Sequence, residues 1–239
     1  MHPVLLKVGP VTLYSYGVML VLAFVAASWL AVRVSRELPP AQRAIPPEHI
    51  LDFFSMALLG GLLGARLLYV ALHWDVFARA PMEVVAIWHG GLVWYGGLLG
   101  GLVAGVLYSR AHRLDGLRVF DQCVPFLVLG HAIGRVGCLL NGCCYSKLAA
   151  VPTQPLEAAG LLLLYGVLRL LQRPALLQYP GRLFGGYLVG YAALRFFVEF
   201  LRGDQVAWWM GLTLQQVISI GMCLAGVLLW RRRAPSRSS

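Results

Sequence analysis

Charge is what this sequence has least of. Only 13% of its 239 residues are Asp, Glu, Lys or Arg, about half the share that a soluble domain carries. Acidic residues are the scarcer kind, 10 against 20 Lys and Arg. A water-exposed globule with 59% hydrophobic residues and a mean hydropathy of +0.72 cannot cover its apolar surface, whereas a bilayer covers it directly. Cysteine is sparse and odd in number, 5 residues with no zinc-like pair of CxxC motifs, so it does not define a disulfide framework. Internal repeats and low-complexity tracts are missing. A cleavable signal peptide is not expected: only Lys7 precedes the first apolar run, Arg33 and Arg36 follow it, and the run is too long for an h-region. The net charge of +10 does not point to nucleic acid, because the basic residues sit at the ends of apolar runs.

Those apolar runs are what is there. Seven of them are long enough, or nearly so, to cross about 30 Å of hydrocarbon. They fall near 12–32, 50–72, 92–109, 119–140, 155–172, 184–201 and 212–230, separated by Pro and charge such as Pro39-Pro40, Pro46-Pro47, Pro81, Pro174 and Pro180. The loops after runs one, three and five, with the C-terminal tail, hold 13 basic residues; the opposite loops hold 4, namely Lys7, Arg79, Lys147 and Arg202. The basic side is the cytoplasmic side. The expectation is an all-α polytopic membrane protein with seven transmembrane helices, N-terminus outside and C-terminus cytoplasmic. Residues 1–233 form one domain and 234–239 a disordered tail.

Three arginines, Arg66, Arg135 and Arg195, lie inside the expected spans. Each costs about 2.5–3.5 kcal/mol on insertion scales and needs compensation. Snorkelling to headgroups is one reading; an anion site facing the bundle interior is the other. Depth favours the second. With the orientation above, Arg66, Arg135, Asn141, Arg195, Glu199, Tyr16 and Tyr95, drawn from five separate spans, fall at the level of the outer-leaflet headgroups. Arg195 and Glu199 share a helix face at i, i+4. Guanidinium groups gathered there suit bidentate recognition of phosphate. Glycines at 60, 61, 64, 90, 91, 96, 97, 100 and 101 suit close helix packing. They are not a phosphate-cradling P-loop, since no GK[ST] follows.

Several blocks resemble one family, the prolipoprotein diacylglyceryl transferases. YGVML at Tyr16–Leu20 is similar to a first-span YG motif. IWHGGLVWYGGLLGG at Ile87–Gly101 resembles IWxGGxxxxGGLxGG, and GRVGCLLNGCCYS at Gly134–Ser146 resembles the signature GRxGNxxNGxxxG. GYAALRFFVEFLRGD, carrying Tyr191, Arg195, Glu199, Arg202 and Asp204, resembles YxxxRxxxExxR. TQPLE at Thr153–Glu157 looks like PSQxYE, and LTLQQVISI resembles the start of the last span. The resemblance covers nearly the whole chain in order. It implies transfer of the diacylglyceryl group of phosphatidylglycerol to the lipobox cysteine thiol of a prolipoprotein, with a thioether formed and glycerol phosphate released, at the outer leaflet of the bacterial inner membrane. No cofactor and no metal is implied. The implied partners are phosphatidylglycerol, lipobox-containing prolipoproteins and membrane lipids. Arg135, Arg195, Tyr95 and Glu199 take catalytic positions, and Arg135, Arg195, Tyr16, Asn141, Tyr191 and Arg66 substrate-binding ones.

The departures leave alternatives open. Tyr95 stands where many members have His, and tyrosine with a pKa of about 10 is a poor thiol base. Glu199 either orients Arg195 or serves as base. His131, one turn before Arg135, is a packed histidine or a substitute base. Asn141 is a substrate residue or an interhelical hydrogen-bond residue. Cys138 replaces the signature's first Asn, and Cys143-Cys144 replace an acidic and an apolar position. They are packed thiols, an outer-face disulfide or metal ligands. The connection 142–154 is shorter than the head domain that members often place there, which implies a different capture of substrate. Two other functions compete: a transporter lined by buried arginines, and a paralogue with an altered substrate or a lipid-binding role.

Overall fold

The computed structural model describes residues 3–8, 11–143, 146, 152–203 and 207–231. Readings that fall on Cys144, Lys147, Asp204, Arg232, Arg233, Arg237 and the tail 234–239 lie outside the described residues. The chain opens with β1 (Val4–Val8) and β2 (Val11–Tyr14), then runs through α1 (Ser15–Glu37), α2 (Pro47–Leu72), the short α3 (Trp74–Phe77), α4 (Trp94–Ala111), α5 (Gly116–Asn141), α6 (Thr153–Leu171), the short α7 (Pro174–Leu177) and α8 (Arg182–Glu199). It closes with β3 (Ala207–Trp209), β4 (Leu212–Thr213) and α9 (Leu214–Trp230).

Each apolar run falls on one of the seven long helices. The largest shift of a boundary is at α1, which continues to Glu37. Residues 12–14, placed by the sequence in the first span, instead form β2, antiparallel to β1. The physical reason is local: two short runs rich in Val, Leu and Thr flank Gly9-Pro10, a chain-reversal signal. Likewise Leu212 and Thr213 pair with β3 instead of starting the last helix. The turn between them places Met210 and Gly211 at positive φ, 48° and 77°. The protein is therefore predominantly helical with two small hairpins.

Four helical stretches, Ser15–Glu37, Pro40–Leu72, Gly116–Asn141 and Thr153–Leu171, are long and apolar enough to cross a membrane. Helices α4 and α8 have 18 residues each and α9 has 17. Large apolar side chains remain uncovered by protein along these helices, among them Leu63, Leu163, Phe197 and Leu228. That surface belongs to a multi-pass membrane protein, where lipid replaces water as solvent.

The chain divides into two compact units, Met1–Arg43 with Phe120–Ser239, and Ala44–Val119. In the second unit α2 and α4 pack through glycines. A Cβ added at Gly64 would stand 2.8 Å from the Cα of Gly100, and one at Gly61 3.2 Å from the carbonyl oxygen of Gly97. Backbone meets backbone, which only small residues permit. In the first unit Val124, Val128 and Ala132 of α5, Leu161 and Leu168 of α6, and Leu183, Tyr187 and Tyr191 of α8 form a buried core. Gly185 and Gly226 bring α8 against α9: a Cβ on the first would lie 2.8 Å from the carbonyl oxygen of the second. Asp121 of α5 fixes where α8 begins. Its carboxylate accepts from the backbone N–H of Gly181 at 2.6 Å and of Phe184 at 2.7 Å. These donors have no partner within the helix, and a carboxylate also suits the positive end of the helix dipole.

Candidate active site

The anchored start of α8 carries through to its last turn, where Arg195 and Glu199 lie on one face. Arg195 Nη2 is 2.9 Å from Glu199 Oε2. Arg202, one turn on, places Nε 3.9 Å from the same oxygen. From α6 comes Glu157, about one turn into the helix. Its Oε1 is 2.7 Å from Arg135 Nη2 of α5, and its Oε2 is 3.8 Å from Arg195 Nη1. Two of the three arginines singled out in the sequence thus share one carboxylate. Glu157, Arg195, Glu199 and Arg202 are buried, and the Arg135 side chain is 12% exposed. Thr213, at the start of α9, closes the network by donating to Glu199 Oε1 at 2.8 Å.

Tyr191 lines the same region. It stacks on Tyr187 with ring centroids 5.8 Å apart and lies 5.4 Å from the His131 ring, while Arg135 reaches its hydroxyl. His131 is thus packed against an aromatic ring. Tyr16 of α1 is exposed and lies beside α5 at Gly137, where an added Cβ would stand 3.2 Å from its ring. Asn141 ends α5 and is exposed. Among the described residues, Cys123, Cys138, Cys143 and Cys223 form no disulfide with one another. The Cys143 thiol lies 3.7 Å from the backbone oxygen of Cys138, and Gln154 donates to the backbone oxygen of Cys143 at 2.6 Å. Among the described residues no group of three or more His, Cys, Asp or Glu is arranged to hold a metal ion.

Arg66 and Tyr95 belong to the other unit. Arg66 is buried, and its donors are spent on backbone. Nε donates to Val84 at 2.9 Å, Nη1 to Gly90 at 2.6 Å and Gly91 at 3.1 Å, and Nη2 to Ala86 at 3.3 Å and to Glu83. The rings of Tyr69 and Phe77 flank it. Tyr95 is half-buried in the first turn of α4. Arg195 makes the contrast. Its Nη1 is buried and donates no hydrogen bond, although Glu157 is close enough for an ion pair. A buried arginine with an unspent donor is equipped to take a further oxygen anion; one with every donor on a carbonyl is equipped to hold a loop.

A family model described as prolipoprotein diacylglyceryl transferase matches residues 3–232. This chain belongs to that family. Three curated relatives named phosphatidylglycerol–prolipoprotein diacylglyceryl transferase are similar along most of their length. The one from Synechococcus elongatus is 31% identical over 95% of this chain and 85% of its own. That from Clostridium tetani is 30% identical over 96% and 97%, and that from Lactiplantibacillus plantarum 28% identical over 97% and 90%.

The family blocks in the sequence do not single out Glu157, which enters them only as the last letter of TQPLE. The signal is nonetheless present. A carboxylate entering an apolar helix carries the same desolvation cost as an intramembrane arginine and asks the same question about its partner. Arg202, a loop cation by the charge count and a member of the YxxxRxxxExxR-like block, is buried against Glu199.

Proposed function

We propose that this chain transfers the diacylglyceryl group of phosphatidylglycerol to the cysteine thiol of a prolipoprotein. The observation that carries the reading is that Arg135 and Arg195, from different helices, meet over one buried carboxylate. The match of nearly the whole chain to the transferase family supports it. In the reaction the thiol sulfur forms a bond to the terminal carbon of the diacylglyceryl group. The carbon–oxygen bond to phosphate breaks, and glycerol phosphate leaves with the electron pair. The thiol proton passes to a base. Arg135 and Arg195 bind the phosphate and offset the charge that grows on it as it departs. Tyr16, Tyr191 and Asn141 line the lipid's approach, and Glu199 orients Arg195. The step requires no cofactor.

The same reading extends to placement. Residues 1–233 act as one transferase domain of seven spans in the bacterial inner membrane. The N-terminus and the site face the outer side, and the C-terminus faces the cytoplasm. The loop asymmetry of basic residues supports that orientation. The test is a phosphatidylglycerol-dependent gel shift of a peptide bearing a lipobox cysteine. Wild type shifts the peptide, while Arg135→Ala and Arg195→Ala do not. A full shift by either alanine variant removes that arginine from the site, and no shift by wild type ends the reading.

A further inference from the structure

The segment joining α2 to α4 is built unlike a loop that faces water. Beyond α3 it contains two short 3-10 turns, Pro81–Val85 and Ile87–His89. Its outward side is mainly apolar. Met82 is 82% exposed, Trp74 and Val85 are each 64% exposed, and Val76 is exposed as well. Its inward side rests on α2 through Phe77, which is buried and meets the Tyr69 ring edge-on at 6.0 Å. An uncovered apolar side of this kind marks a surface made for a partner that is not water.

The backbone of the segment is supplied with donors from within. Arg66 reaches the carbonyls of Glu83, Val84, Ala86, Gly90 and Gly91. Water would hydrate those oxygens on an ordinary loop, and a buried arginine would add only its own desolvation. At bilayer depth, irregular backbone persists only where protein satisfies it. Arg66 does so, with its charge set between the Tyr69 and Phe77 rings. Glu83 and His89 face each other at 2.8 Å, so their polar ends also meet within the segment. Asp75 and Arg79 are exposed, which suits headgroups and not the middle of the acyl chains.

We infer that residues 74–92 are an in-plane membrane element, with phospholipid acyl chains against Trp74, Val76, Met82 and Val85 and with Arg66 as the internal donor that lets irregular backbone lie there. Continuity names the occupant. The uncovered Leu63, Leu67 and Leu72 of α2 lead directly to Trp74, and the segment ends at the exposed Leu92 before α4. Elements of this kind lie about 5–10 Å into the boundary between headgroups and acyl chains. The start of α4, and Tyr95 with it, is thereby held at headgroup level. The inference rests on the membrane placement of the chain and not on the chemistry of transfer.

The test reconstitutes the full wild-type chain in vesicles of phosphatidylcholine and phosphatidylglycerol. A fraction of the phospholipid carries an aryl diazirine on its acyl chain. After illumination, the adducts are located by peptide mass spectrometry. Two stretches of the same chain calibrate the yield. Residues 63–72 of α2 present uncovered leucines, and residues 39–42 are an exposed connection flanked by Arg36, Glu37 and Arg43. Residues 74–87 should label to the level of 63–72 and several-fold above 39–42. Labelling of 74–87 no higher than that of 39–42, with 63–72 strongly labelled, overturns the inference and leaves the membrane placement standing. Failure to label 63–72 removes the placement itself and the inference with it. Lipidation of a peptide plays no part in the readout, so failure of the transferase reading is distinguishable from either result.

Discussion

The Thr213 hydroxyl donates to Glu199 at 2.8 Å and accepts from the backbone N–H of Gln216 at 3.3 Å. One hydroxyl can do both. The Gln216 side chain returns to the Thr213 N–H at 3.0 Å, completing a capping box. The start of α9 and the end of the ion network thus depend on one oxygen. Thr213→Val keeps the volume and loses both bonds. Loss of the cap alone costs about 1 kcal/mol, and the buried Glu199 oxygen loses its donor as well. The expected result is a lower Tm together with slower transfer, with Thr213→Ser close to wild type in both. Equal stability and activity in Thr213→Val would show that the cap and the network are independent.

Glu199 is poorly placed to take a proton from a thiol. One oxygen faces Thr213, the other faces Arg195 and Arg202, and the side chain is 0% exposed. A general base has to reach the proton that it abstracts. Glu199→Gln should therefore slow transfer through a misplaced Arg195 and leave the acid limb of the pH–rate profile where it was. Were Glu199 the base, that limb would flatten. Tyr95→Phe belongs in the same series: a rate equal to wild type would make the Tyr95 hydroxyl positional only.

How far the sequence was legible depended on the length scale of the signal. Helices that must bury about 18 apolar residues in lipid leave a strong mark. Even so, their ends moved where hairpin signals competed, as at Thr12–Tyr14. Arg135, Arg195 and Glu199 were legible because a charge in an apolar run demands a partner. Arg66 raised the same demand. Its partners, however, are backbone carbonyls of residues 83–91, which no side-chain pattern announces. Glu157 is less legible because it sits close to a helix start beside polar Thr153 and Gln154, where a carboxylate reads as a surface residue. The structure buries all three.

Arg66 is therefore expected to behave as a clamp on the segment before α4. Arg66→Met would leave five backbone carbonyls without their donor, at about 1–3 kcal/mol for each buried group that water cannot reach. Lysine brings three donors on a point charge in place of a planar fork and should restore only part. Limited proteolysis reads this directly: cleavage within 78–93 should rise in the order wild type, Arg66→Lys, Arg66→Met. If Arg66 bound the lipid phosphate instead, Arg66→Lys would raise KM for phosphatidylglycerol with no change in cleavage.

The glycine packing of α2 against α4 yields a prediction with its own control. A Cβ at Gly100 would lie 2.9 Å from the Cα of Gly64 and 3.1 Å from the carbonyl carbon of Gly60. Real Cβ atoms do not approach backbone that closely, and backbone has no rotamer through which to yield. The helices would have to separate along the seam, at the 1–3 kcal/mol or more expected of overpacking. At Gly166 of α6 nothing lies within 4 Å of an added Cβ. There alanine should gain about 0.5–1 kcal/mol from helix propensity alone. Thermal unfolding in detergent should accordingly rank Gly166→Ala at or above wild type and Gly100→Ala well below it, with Gly64→Ala alongside the latter. If Gly100→Ala and Gly166→Ala unfold at the same temperature, α2 and α4 are not in backbone contact, and the seam that organises this unit is wrong.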